Sequence, residues 1–122
     1  EEQRRLTALL YRYAAQRAVI VSTHELNRWD GQCDALLLLD GGTVRFYGSP
    51  LEWVHHPSLS VWEGTVERRE LPQWLNRFRV IRTLSESGQT CRLRLVAAEP
   101  PDTRFSQVPA NLEDGYFLQS RD

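Results

Sequence analysis

The chain of 122 residues contains neither lysine nor methionine. The first absence excludes a phosphate-binding loop of the Gly-rich, Lys-Ser/Thr type, in which a lysine ammonium reaches the β- and γ-phosphates. The second leaves no initiator residue, so Glu1 is not expected to be the natural start and the chain reads as part of a larger protein. All 15 basic residues are arginine, a uniformity that reflects genomic bias rather than mechanism. Cysteine is nearly as scarce. Cys33 and Cys91 alone make no disulfide framework, and they lack the Cys-x-x-Cys spacing of zinc and redox sites. That usage fits a reducing, cytosolic compartment. No apolar run approaches the roughly 20 residues that span a bilayer. No signal-peptide pattern opens the chain, and membrane association is expected only through a partner. A net charge of −1 argues against a general polyanion binder.

What is present is ordinary in bulk and specific in order. Apolar residues make up 41% and charged residues 25%, as in a globular domain. The length suits one domain, or a small domain with a fragment of another. The stretch Ala18-Val19-Ile20-Val21-Ser22-Thr23-His24-Glu25 carries most information, because a short apolar run ends in three polar side chains. Such a run reads as a buried parallel strand, and open α/β sheets bind ligands beyond the carboxyl ends of their strands, where His24 falls. Upstream, Leu6, Leu9, Leu10, Tyr13 and Ala14 share one face of a helix expected over 4–17. A short helix over 25–32 and an apolar strand over 35–39 follow. Gly41-Gly42 then predicts a tight hairpin into 43–47, because both glycines accept positive φ. Ser49-Pro50 reads as the N-cap and first-turn proline of a short helix through His55, which Pro57 stops.

We place a domain boundary after this helix, giving a first unit of residues 1–57 and a second of 58–122. The second has an α+β rhythm: a strand over 60–67, a helix over 71–78 with Pro72 in its first turn, and strands over 79–85 and 90–97. In the last of these, Leu93 and Leu95 alternate with Arg92 and Arg94, as in a half-buried sheet. A strand through Phe105 and Val108 and a closing helix from Asn111 complete it. Asn111 is a good N-cap with Asp114 at the N3 position. Gly115 weakens this helix by roughly 1 kcal/mol relative to alanine, so it depends on docking.

The ordered set of motifs closely resembles the tail of an ABC-transporter ATPase subunit. Glu1-Glu2-Gln3-Arg4-Arg5-Leu6 resembles the opening of the helix after the D-loop, and Ser22-Thr23-His24-Glu25 the switch-histidine segment. Cys33-Asp34, Asp40-Gly41-Gly42 and Tyr47-Gly48-Ser49-Pro50 complete the end of the nucleotide-binding domain, and residues 109–118 resemble the closing helix of an export-type accessory domain. The resemblance implies the end of a P-loop-type α/β nucleotide-binding domain followed by a small α+β accessory domain. It implies that His24 contacts the γ-phosphate of ATP and helps hold the attacking water and catalytic carboxylate in register. Phosphoryl transfer is catalysed mainly by such positioning and charge stabilisation. In the intact parent it further implies ATP and Mg2+ as cofactors, a second ATPase subunit, and a membrane permease through which substrate is exported. The phosphate loop, signature and Walker B motifs would lie upstream of Glu1, so this chain alone is not expected to hydrolyse ATP or to hold these cofactors.

Other residues have quieter readings. His55 and His56 are adjacent and cannot share a helical face as i, i+4 metal ligands do, so no metal site is expected. Trp53, Trp62 and Trp74 are expected to anchor packing. Glu86-Ser87-Gly88-Gln89 faintly echoes the ABC signature but falls where a turn is expected. Arg77, Arg79, Arg82, Arg92 and Arg94 read as a solvated face, since the aromatic pair that stacks bases on RNA-binding sheets is missing, and nucleic acid is not an expected partner. The rival to the ATPase reading is a non-catalytic regulatory or dimerisation module that binds a small ligand or protein. Strands 18–22 and 35–39, apolar enough for burial on both faces, predict that the chain self-associates as a homo-oligomer.

Overall fold

A computed structural model describes residues 20–119 together with residues 5, 6, 8, 9 and 12. Among them the chain is α+β, with two sheets that are both antiparallel. The larger sheet contains β3 (Ser60–Glu67), β4 (Arg79–Ser85), β5 (Thr90–Ala97) and β6 (Phe105–Val108), in the spatial order β4-β5-β3-β6. The smaller is a hairpin of β1 (Leu36–Asp40) and β2 (Thr43–Gly48). Between residues 20 and 119, three short α-helices accompany them: α1 (Pro50–Trp53), α2 (Leu71–Arg77) and α3 (Gly115–Gln119).

The period-2 pattern of β5 and β3 builds the core. Cys91, Leu93, Leu95 and Ala97 fall on one face and meet Trp62 and Val66 of β3, and all six are buried. Helix α2 covers this face with Trp74, whose ring lies 5.2 Å from that of Phe78 and 5.0 Å from that of Phe105. Gly64 makes room for this packing. It pairs with Phe105, and a Cβ there would sit 2.7 Å from the phenyl ring. On the opposite face Val61 and Val96 pack under Leu118 of α3, with Ile81, Val108 and Phe117 around them.

The hairpin turn forms as the glycine pair predicts, with φ of 58° at Gly41 and 78° at Gly42. Ser49 caps α1 through a reciprocal capping box with Glu52. Helix α1 ends at Trp53 rather than at His55, because Trp53 turns inward: it is 1% exposed, and its indole N–H donates to Leu112 O at 2.6 Å. Its ring also lies 4.8 Å from that of Phe46 and 5.3 Å from that of Tyr116, so it joins the hairpin to the chain's closing segment.

The region around His24 departs from expectation. Residues 20–23 form no strand, and Ile20 is 96% exposed. A parallel strand exists only by pairing, and every ladder among the described residues is antiparallel and excludes this segment. Residues 18 and 19 lie outside the described residues. Of the helix expected over 4–17, the described positions are helical, yet Leu6 and Leu9 are 54% and 55% exposed; Leu10, Tyr13 and Ala14 lie outside the described residues. The helix expected over 25–32 contracts to a 3-10 turn, Leu26–Trp29. Strand β1 is not buried on both faces, since Leu37 and Leu39 face outward. The closing helix begins at Gly115 after a turn led by Asn111.

Candidate functional site

His24 stands on the irregular segment before the 3-10 turn, with its side chain 93% exposed and Nε2 3.8 Å from Glu25 Oε1. The segment is tied together locally. Thr23 Oγ1 accepts from Glu25 N at 3.0 Å, Glu25 pairs with Arg28, and Arg28 N donates to Glu25 O at 3.2 Å. His24 borders an open cleft of about 300 Å3, shared with Arg82, Arg94, Glu113, Asp114 and Phe117. An exposed imidazole of this kind can donate a hydrogen bond to an anionic group brought to it. Among the described residues no three His, Cys, Asp or Glu side chains gather as a metal site.

The floor of the cleft is a buried ion network that sequence reasoning missed. Arg94, expected in a solvated arginine face, is 9% exposed. Its Nε donates to Asp114 Oδ1 at 2.9 Å, its Nη1 to Glu63 Oε2 at 2.6 Å, and its Nη2 to Pro109 O at 3.1 Å. Asp114 is 1% exposed, and its other oxygen also accepts from Arg94. The hydrogen bond to Asp114 holds the Arg94 pKa above its ordinary value; burial acts against this, and Glu63 adds to the rise. Burial pushes the Glu63 carboxyl up, but hydrogen bonds from Arg94 and Arg92, with their charge, bring its pKa below the ordinary carboxylate range. Charge-assisted, fork-shaped contacts of this kind are strong and directional.

The same aspartate shapes the turn above the network. Asn111 Oδ1 accepts from Asp114 N at 3.0 Å and Asp114 Oδ2 from Asn111 N at 2.7 Å, the reciprocal cap that the spacing predicts. The capping half of Asp114's role was legible from Asn111 three residues away. The ionic half was not, because Arg94 lies 20 residues back on another strand.

The remaining candidates are structural. His56 Nδ1 accepts from Ser58 N and Leu59 N, both at 3.0 Å, and so closes the turn between α1 and β3. Residues 86–89 form the β4–β5 turn, where Ser87 Oγ accepts from Gln89 N and Thr90 N, both at 3.2 Å. Arg104 grips Glu70 at 3.0 Å and Asp102 at 2.7 Å, pinning the loop before β6 against α2. The hydrogen bonds from Arg104 hold the Glu70 carboxyl down at about 2.

No family model and no solved structure matches the chain. The chain is similar to the Nod factor export ATP-binding protein I of Neorhizobium galegae, with 30% identity over an aligned stretch of 125 residues. The alignment takes in 93% of this chain and 34% of that protein, so the chain spans about a third of its relative's length. This similarity supports a relation to the C-terminal region of an ABC ATPase and nothing finer. Among the described residues no helix is long and apolar enough to cross a membrane.

Proposed function

We propose that the chain is the C-terminal portion of an export-type ABC-transporter ATPase subunit. Residues 1–57 end the nucleotide-binding domain, and residues 58–122 form a small accessory domain. The observation that carries this reading is similarity to an export ATP-binding protein along 93% of the chain, in the region where the switch-histidine and closing motifs stand in family order. The intact parent works at the cytoplasmic face as a dimer of ATPase subunits and drives export through a membrane permease. Bound ATP with Mg2+ supplies the phosphoryl group whose transfer releases the driving energy. His24 donates a hydrogen bond to a γ-phosphate oxygen, a role that its exposure and its lack of a buried partner support. By itself the chain self-associates, for which the outward-facing Leu37, Leu39, Val44 and Tyr47 of the hairpin give the motive.

The test is His24→Ala in the full-length parent. Loss of one donor to developing charge costs about 10²–10³ in turnover, while nucleotide affinity stays within a few-fold. Unchanged turnover would overturn the role of His24 and, with it, the catalytic part of the reading.

A further inference from the structure

The segment bearing His24 is not held by a sheet, yet it is joined to the four-stranded unit at a defined point. The carboxamide of Asn27, in the 3-10 turn, accepts a hydrogen bond through Oδ1 from the backbone N–H of Glu113 at 3.0 Å. These residues are 86 positions apart, on opposite sides of the proposed domain boundary. We infer that Asn27 is a positioning residue for His24, through which the accessory unit sets the placement of the histidine.

Both sides of this hydrogen bond are stiffened. On the donor side, the Glu113 N–H lies inside the turn closed by the Asn111–Asp114 cap, and Asp114 is clamped in turn by Arg94 and Glu63. On the acceptor side, Asp30 N donates to Asn27 O at 3.3 Å and Arg28 N to Glu25 O at 3.2 Å, and the Glu25–Arg28 ion pair spans the same residues. Thr23 joins this small unit through Glu25 N. Residues 23–30 therefore move together, and fixing Asn27 fixes the chain path at His24 three residues earlier. A histidine that works by orientation loses rate when it shifts, and about an ångström of misplacement costs up to ~10²-fold. Because a carbonyl-type oxygen is all the Glu113 amide needs, aspartate serves at position 27 and alanine does not.

The inference rests on the reading of His24 as a γ-phosphate contact, and full-length parent protein tests the two separately. Asn27→Ala is expected to lower kcat for ATP hydrolysis about tenfold with KM within twofold, and Asn27→Asp to restore most of the rate. Hydrogen exchange at the Glu113 amide is expected to quicken in the alanine variant and to stay slow in the aspartate variant. If His24→Ala is inactive while Asn27→Ala retains full kcat, the positioning role is overturned and the proposed function stands. If Asn27→Asp is as slow as Asn27→Ala, the hydrogen bond is not the cause and the inference fails. If His24→Ala is fully active, both fall together.

Discussion

Two regions of this chain are comparably apolar, and only one of them hides its apolar side chains. In β5, Leu93 and Leu95 are both 0% exposed. In the hairpin, Leu37 and Leu39 are 52% and 61% exposed, and Ile20, four residues before His24, is 96% exposed. The difference does not lie in hydrophobicity, since leucine stands in both places. Strand β5 has a neighbour on each side and a packed layer on each face. Strand β1 has one neighbour and a single covered face, where Phe46 of β2 meets Trp53. Burying a leucine fully contributes roughly 1.5–3 kcal/mol. That term is realised in β5 and only partly in β1.

The comparison predicts where substitutions should hurt. The largest effect is expected at the ion network under α3. Asp114→Ala removes one partner of a buried pair and leaves Arg94 desolvated without its main counter-charge, which costs about 3–5 kcal/mol. Urea unfolding reads this directly, and a loss below about 1 kcal/mol would mean that Glu63 and solvent compensate.

Next comes a substitution that helix propensity recommends and packing forbids. In a helix interior alanine is favoured over glycine by about 1 kcal/mol, which is an upper bound for the gain from Gly115→Ala at the first helical residue. A Cβ at Gly115, however, would stand 2.1 Å from Trp53 Nε1, whose N–H is committed to Leu112 O. Overpacking of this kind costs about 1–3 kcal/mol, so net destabilisation is expected in thermal melts. A rise in Tm would show that the indole has room to withdraw.

The smallest effect is expected on the hairpin's outer face. Leu39→Ser should change stability by no more than about 0.5 kcal/mol, because the side chain has little packing to lose. The same variant should shift the light-scattering mass at micromolar concentration toward the monomer. A monomeric parent chain, or a loss of several kcal/mol, would erase the contrast between the two regions.

Legibility in the sequence followed the same division. The strands over 60–67, 79–85 and 90–97 stand where alternation and turn residues put them, and Ser49 caps its helix as its spacing implies. Asn111 and Asp114 bond reciprocally as expected, but they close a turn before the helix at Gly115 rather than cap it. These are local properties, set by side-chain period and by short-range hydrogen bonds. The strand expected at 18–22 is absent from the described residues 20–22, although its composition is that of a buried strand. Composition states what a segment would do with a partner, and pairing is not local. The candidate site was legible in one residue, His24. Its neighbours Arg82 and Arg94 face each other across the β4–β5 hairpin, but no spacing rule joins that pair, or Asp114, to His24.

By itself, then, the sequence determined the β-rich frame of residues 60–108, the glycine hairpin, the Ser49 helix cap and the tryptophan anchors. Each follows from backbone preferences and from periods of two or three to four residues. Only the tertiary structure decided that Arg94 is a buried cation rather than a solvated one, and that Gly115 is required by the Trp53 indole. It also decided that Asn27 meets the amide of Glu113. These depend on which surfaces meet, because desolvation and close contact are properties of a pair of segments and not of either alone.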